Sequence, residues 1–156
     1  KGAYVADLSL KDIADVFEIR AALEGLAAGL AAERITDEEL EYMERHLVEK
    51  GDAISQNDME RLVAIDTDFH EAIYRASRNE RLFVIINNLR EQIQRFRATS
   101  LAYPGRMKQS LEEHRIIVEA IQSRDVQGAR QAAQEHIENA ENSMIESIKK
   151  DGFPTA

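Results

Sequence analysis

Cysteine is absent from the 156 residues, and there are only two prolines and seven glycines. Without cysteine the chain forms no disulfide and offers no thiolate to a metal or a substrate. Such a composition fits a reducing compartment, so we expect a cytoplasmic protein. The few prolines and glycines leave little material for the many turns of an all-β protein. Residues that suit helices (Leu, Ala, Ile, Glu, Gln and Arg) dominate instead.

Long apolar runs and an excess of basic residues are also missing. No apolar segment approaches the roughly 20 residues of a membrane span, and the N-terminus has no signal-peptide pattern, so we expect no membrane partner. Lys and Arg number 20 against 29 Asp and Glu, for a formal net charge of −9. Because binding to a nucleic-acid backbone depends on clustered Lys and Arg, we do not expect this chain to bind DNA by itself.

Helical periodicity recurs in six segments separated by short breaks. They cover about Leu10–Arg34, from after Thr36 to near Gly51, about Asp58–Ala76, a fourth segment with the apolar stripe Leu82, Ile86, Leu89, Ile93 and Phe96, about Arg106–Ser123, and about Asp125–Lys149. The sequence "SRNE" separates the third and fourth segments, and "YPG" at 103–105 ends the fourth. Ser9 with Asp12, and Thr36 with Glu39, have the spacing of a capping box at the start of a helix. Short connections favour antiparallel neighbours, so we predict one domain over residues 1–156, an all-α antiparallel bundle.

Three of the four histidines fall on predicted apolar faces. In "AIDTDFHEAIY" Asp66 and His70 stand one helical turn apart, and His114 and His136 lie within the inner stripes of the last two helices. Burying such groups is costly unless something pairs with them. Neutral imidazole is the commonest metal ligand, and a D-x-x-x-H pair presents two ligands to one point. We therefore predict a metal site formed by these four residues inside the bundle; the alternative is a hydrogen-bonded His and Asp network without metal.

The proposed ligands are nitrogen and oxygen donors without sulfur. Such a set suits a divalent transition metal, Zn²⁺ as the first choice, with Ni²⁺, Fe²⁺, Mn²⁺ or Co²⁺ as alternatives. A metal that takes more than four ligands would leave positions open for a small molecule. The fourth histidine, His46, neighbours Met43 and Leu47 but stands among charged residues. We expect it at the surface or at the boundary of the core.

Arginines also occur on or beside predicted inner faces. Arg20 stands in the middle of the apolar face of the first helix, where it has Glu24 at i+4. A guanidinium that faces a bundle interior is suited to a planar oxyanion, and bidentate binding of a carboxylate is characteristic of arginine. Arg90 and Arg97 lie a heptad apart beside the apolar stripe of the fourth helix, where exposure to solvent is equally consistent with their positions. Arg20 and Arg97 are our candidate ligand-binding residues.

Three stretches together resemble a known family. They are "SLKDIADVFEIRAALEGLAAGLAAERITDEEL", "DTDFHEAIYRASRNERLF" and "EEHRIIVEAIQSRDVQGARQAAQEHI". In this order they are similar to the C-terminal effector (FCD) domain of FadR-type GntR transcriptional regulators, over about residues 8–145. The motifs that carry the likeness are R-x-x-x-E in the first helix, D-x-x-F-H in the third, and two later histidines 22 residues apart.

The resemblance implies a bundle of six or seven helices with an internal pocket for a metal and a ligand. It implies that Asp66, His70, His114 and His136 match the ligands of the metal-binding branch, and that a small organic acid docks beside the metal with Arg20 at its carboxylate. "SRNERLF" departs from the usual Ser-Gly-Asn-Pro, which alters a turn outside the site. The winged helix-turn-helix of the family is absent from these residues, so DNA binding and dimerisation are expected of the parent protein.

Two other functions are consistent with a metal in a helical bundle. Di-iron carboxylate bundles require Glu-x-x-His on two helices, and the residues three before the histidines are Met43, Thr67, Leu111 and Ala133. A mononuclear hydrolase stays open, although no inward carboxylate other than Asp66 is available as a general base. A purely structural metal is the other alternative, and the inward Arg20 argues against it. We therefore expect a sensing domain, not an enzyme, and assign no catalytic residue.

Overall fold

The computed structural model describes residues 8–154, and none of these lies in a β-strand. The described range contains seven α-helices and one short 3₁₀ helix, which confirms the all-α prediction. Their bounds are α1 Leu10–Arg34, α2 Asp37–Ser55, α3 Met59–Ala76, α4 Glu80–Gln92, the 3₁₀ helix Gln94–Phe96, α5 Arg97–Ala102, α6 Arg106–Gln122 and α7 Val126–Asp151. Residues 1–7 and 155–156 of the predicted domain lie outside the described range. No helix within that range is long and apolar enough to span a membrane.

Capping boxes begin the first two helices, as the sequence predicts. The Ser9 hydroxyl accepts a hydrogen bond from the Asp12 backbone N–H, and the Asp12 carboxylate accepts one from the Ser9 N–H. Thr36 and Glu39 make the same reciprocal pair at the start of α2. Each box satisfies two N–H groups that the helix itself leaves without partners.

The predicted fourth helix is broken into three pieces. At Ile93 the backbone leaves the helical region (φ −119°, ψ 12°), and a 3₁₀ turn leads into α5 at Arg97. Ile93 and Phe96 are buried in one apolar cluster, and a turn of three residues keeps both on the same side. An apolar spacing of three occurs in both helix types, so the sequence pattern did not reveal this change.

Helices α1 and α7 lie antiparallel and in close contact at Gly25 and Gly29. A Cβ atom at Gly25 would stand 2.7 Å from Gln134 Cγ and 3.1 Å from the Arg130 carbonyl oxygen, so any larger residue would force the Gln134 side chain to move. At the C-terminal end of α1, the Arg124 guanidinium donates to the Ile35 carbonyl at 2.7 Å, which ties this end to the start of α7. The two longest helices thereby form the frame on which the other helices pack.

A polar zone divides the apolar core. Along α1, Ile13 and Phe17 belong to one buried cluster and residues 27–32 to another. Arg20 and Glu24, which are both buried, lie between the two clusters. His136 occupies the corresponding position on α7, between Ala133 and Ile137. The polar side chains of several helices therefore meet inside the bundle.

Candidate metal and effector site

Three histidines from different helices converge on one point. His70 on α3, His114 on α6 and His136 on α7 are all buried, and one ring nitrogen of each lies within 4.8 Å of the others. The Nε2 atoms of His114 and His136 are 3.2 Å apart. Two nitrogens that both bind one ion at about 2.1 Å stand at most about 4.2 Å apart, so a small contraction would let all three bind.

Asp66 directs one carboxylate oxygen at this point. Its Oδ1 lies 3.7 Å from His70 Nε2 and 3.6 Å from His114 Nε2. Its Oδ2 accepts a hydrogen bond from Arg97 Nη2 at 2.7 Å. Burial alone would raise the pKa of Asp66, but His70, Lys50 and Arg97 together outweigh it and hold the pKa well below its usual value. The four residues predicted from the sequence are thus brought together, with Asp66 as the carboxylate.

Carboxylates lie beside the outer nitrogens of two histidines. His136 Nδ1 donates to Glu113 Oε1 at 2.6 Å, and Glu113 is itself held by Arg106 and Asn139. His70 Nδ1 is buried without a hydrogen-bond partner among the described residues, and its neighbour is Glu24 Oε1 at 3.6 Å. A carboxylate at Nδ1 favours a proton on that atom and leaves the Nε2 lone pair for a metal. The donor set and its orientation therefore fit a bound transition metal.

At His114, the third histidine, a lysine instead of a carboxylate lies beside Nδ1. Lys50 on α2 is only 1% exposed, and its Nζ lies 2.6 Å from Ser110 Oγ, 3.2 Å from His114 Nδ1 and 3.7 Å from Asp66 Oδ1. Burial lowers the pKa of Lys50 to about 8, although the Asp66 carboxylate opposes that shift. Our sequence analysis missed this residue. Its seven-residue spacing from Met43, on the apolar face of α2, was the signal that pointed to burial.

The prediction for His46 was wrong. His46 is 5% exposed and lies on the same buried face of α2 as Met43, Lys50 and Ala53. Its Nδ1 contacts the Tyr42 carbonyl at 2.9 Å, and it does not belong to the histidine group. The charged neighbours in sequence project from other faces of the helix, so they do not decide the burial of His46.

The predicted pair of Arg20 and Glu24 is present and buried. Arg20 Nε and Nη2 donate to Glu24 Oε2 at 3.0 and 2.6 Å, and the Tyr74 hydroxyl donates to Glu24 Oε1 at 2.7 Å. Burial alone would raise the pKa of Glu24, but Arg20 and His70, with Arg90 adding to them, hold it far below its usual value. Through Glu24 the arginine is therefore linked to the histidine group.

A small cavity of about 50 Å³ lies beside the histidines. Its wall includes Asp66, His70 and His136 and four arginines, which are Arg20, Arg90, Arg97 and Arg106. Both candidate ligand-binding residues, Arg20 and Arg97, thus line it, and so do two arginines that we did not select. Arg106 is the first residue of α6, where no periodic pattern identifies a buried face.

Comparison with known proteins identifies relatives along most of the chain. A family model described as the FCD domain matches residues 15–139. The HTH-type transcriptional regulator YdhC of Bacillus subtilis is 27% identical over 152 residues, which are 97% of this chain and 67% of that protein. The galactonate operon transcriptional repressor of Escherichia coli is 31% identical over 124 residues, which are 78% of this chain and 52% of that protein.

The solved structures show the same architecture. The metal-free FCD domain of the regulator TM0439 superposes with a TM-score of 0.75 at 25% identity, covering 93% of this chain and 99% of that one. The chain spans about half to two thirds of the length of the curated relatives it matches.

Proposed function

The chain belongs to the FCD domain family, and from this premise we propose that it senses a small carboxylate for a bacterial transcriptional regulator, through a metal held inside the bundle. The relatives are transcriptional regulators, so the prediction that this is not an enzyme is confirmed. Residues 1–156 would form the sensing part. A segment outside the matched region, present in the longer relatives, would bind DNA, in a homodimer acting in the cytoplasm.

Asp66, His70, His114 and His136 would hold the metal. The observation that carries this proposal is the convergence of three buried histidines and one carboxylate, each from a helix held by the core. Glu113 and Glu24 would orient two of the rings. Nitrogen and oxygen donors suit Zn²⁺ first, with Ni²⁺, Fe²⁺, Mn²⁺ and Co²⁺ as alternatives. The bound ion would supply a positive centre for an oxygen of the effector.

The arginines support an acidic effector. Arg20 and Arg97 line the cavity together with two further guanidinium groups, and charge is screened poorly in such an interior. A cavity of this kind attracts an anion. The name of the galactonate operon repressor, a relative, contains that of a sugar acid, which agrees with a carboxylate effector.

One observation favours a second candidate, a hydrogen-bonded network without metal. The contact of 3.2 Å between the Nε2 atoms of His114 and His136 is a hydrogen-bond distance. Together with Lys50 and Glu113 these rings can form a continuous chain of donors and acceptors. In that case the histidines would stabilise the fold and bind no ion.

Metal content of the purified domain separates the two candidates. We expect about one transition-metal ion per chain after dialysis against a weak chelator, and loss of the ion in His114→Ala and His136→Ala. His46→Ala is the matched control, because it removes a buried histidine outside the group. Full occupancy in the first two variants, or a metal-free wild type after loading with Zn²⁺, would reject the metal site. Circular dichroism confirms that each variant is folded.

A further inference from the structure

The rings of Phe69 and His114 are stacked inside the bundle. Phe69 lies on α3 and His114 on α6, and both side chains are buried. Their ring centroids are 4.0 Å apart, and their planes differ by only 7°. Aromatic pairs more often have centroids roughly 4.5–7 Å apart, in offset or edge-to-face arrangements. The Phe69 ring therefore covers one face of the imidazole closely and leaves the ring edge, with its two nitrogens, to the polar residues.

His114 lacks the support that the other two histidines have. A carboxylate lies beside Nδ1 of His70 and beside Nδ1 of His136, and such a partner fixes the orientation of a ligand ring. At His114 Nδ1 the neighbour is instead Lys50 Nζ at 3.2 Å. An ammonium group cannot accept a proton from the ring. The stack with Phe69 is thus the contact that sets the plane of the His114 ring.

The charge distribution of the two rings bears on metal binding. Both faces of a neutral aromatic ring are electron-rich, so a parallel stack of two such rings is not the preferred arrangement. The stack becomes more favourable when one ring loses electron density, because positive charge is attracted to the face of a phenyl ring. A metal ion on His114 Nε2 withdraws density in this way. A proton would do the same, but the Lys50 ammonium opposes a second positive charge beside it. The stack with Phe69 therefore favours the metal-bound imidazole over the free one.

The Phe69 ring contacts two of the three histidines. It is parallel to the His114 ring and perpendicular to the His70 ring, whose centroid is 5.8 Å away at an angle of 89°. The His70 and His114 rings in turn stand at 85° to each other. Since Phe69 and His70 are adjacent residues of α3, this one helix carries a ligand and also the surface against which a second ligand rests.

We propose that Phe69 is a positioning residue of the metal site, which holds His114 Nε2 towards His70, His136 and Asp66 and favours the metal-bound ring. This rests on the proposed function, because it presupposes an ion at these residues, and it adds to the site a side chain that makes no bond to the ion. His114 Nε2 already lies 3.2 Å from His136 Nε2 and 3.6 Å from Asp66 Oδ1. The stack fixes the ring plane whichever nitrogen carries the proton, so the ring need not turn when an ion replaces a proton on Nε2.

The zinc affinity of Phe69→Leu, measured by competition with a chromophoric chelator, tests the proposal. Leucine keeps an apolar side chain in the core but removes the ring, so we expect the affinity to fall about three- to tenfold, the range that corresponds to one aromatic pair. Phe96→Leu is the matched control, because Phe96 is fully buried in the other apolar cluster. We expect this control to lose stability without losing zinc affinity.

Two further measurements separate positioning from packing. Pentafluorophenylalanine at position 69 keeps an aromatic ring but reverses the charge on its face, so it should also weaken zinc binding, and it keeps the test decisive if Phe69→Leu unfolds. The absorption bands of the cobalt-loaded domain report the arrangement of the ligands. We expect Phe69→Leu to shift these bands and Phe96→Leu to leave them as in the wild type.

The outcomes separate this inference from the proposed function. Equal zinc affinity in the wild type and Phe69→Leu, or an equal loss in Phe69→Leu and Phe96→Leu with unchanged cobalt bands, would overturn the role of Phe69 and leave the metal site in place. Undiminished affinity with pentafluorophenylalanine would overturn the preference for the metal-bound ring. A wild type that binds neither zinc nor cobalt would overturn the proposed metal site, and the role of Phe69 with it.

Discussion

Lys50 Nζ lies 3.2 Å from His114 Nδ1. In His70 and His136 the same ring atom, Nδ1, faces a carboxylate instead. An ammonium group can only donate, so His114 Nδ1 accepts, and the proton of the neutral ring stands on Nε2. That proton points to His136 Nε2, at 3.2 Å. A metal needs the lone pair of the same His114 atom. Lys50 therefore favours the metal-free arrangement of the site.

Replacing Lys50 should strengthen metal binding. In Lys50→Gln the cation beside two ligands is lost, and the amide oxygen can accept from His114 Nδ1–H, which frees Nε2. A unit charge about 4 Å away contributes up to about 4 kcal/mol at an effective dielectric constant of 20, so we expect Zn²⁺ affinity to rise by one to two orders of magnitude. Competition with a chromophoric chelator measures it. Lys11→Gln, at an exposed lysine, should change nothing, and weaker binding in Lys50→Gln would mean that the lysine supports the site.

Replacing Glu113, the carboxylate beside His136 Nδ1, should weaken metal binding. Glu113 accepts from His136 Nδ1 at 2.6 Å and is fixed by Arg106 and Asn139. Removing such an outer partner typically costs 10–100-fold in metal affinity, and we expect a loss of about that size in Glu113→Gln by the same chelator competition. The neighbouring Glu112 is exposed, so Glu112→Gln is the control. Equal affinity in both variants would show that Glu113 does not orient the ring for a metal.

The pair of Arg20 and Glu24 should contribute to stability as a unit. Both side chains are less than a tenth exposed, and removing one partner of a buried pair leaves an uncompensated charge, which costs about 3–5 kcal/mol. We expect Arg20→Met to lower the free energy of unfolding by about this amount in urea denaturation. In the double variant Arg20→Met with Glu24→Gln the charge is gone, so the loss should be smaller than the sum of the single losses. Additive losses would contradict a coupled pair.

The sequence identified what depends on periodicity and missed what depends on tertiary contacts. The caps at Ser9 and Thr36 and the inward position of His114 follow from local spacing, and the structure has all three. The sequence also predicted that Arg97 lies near the cavity, but it did not predict the bond from Arg97 to Asp66. The direction of the Arg97 side chain depends on the break in the helix after Gln92, and that break is a consequence of packing. Lys50 was missed for another reason. A lysine on an apolar face is ordinarily taken as surface, and only its neighbours in space make its burial tolerable.

Metal removal should lower the thermal stability of the domain. Since the ligands come from α3, α6 and α7, an ion that binds only the folded state ties these helices together and stabilises by mass action. At a free Zn²⁺ concentration one hundred times the dissociation constant the gain is about 2.7 kcal/mol, which corresponds to roughly 5–10 °C in a domain of this size. Differential scanning fluorimetry with zinc and with excess chelator measures the shift. His114→Ala should show none, while His46→Ala, which leaves the group intact, should keep it. A shift in both variants would indicate zinc bound elsewhere, such as on the acidic surface, and would remove the support that stability gives to the histidine site.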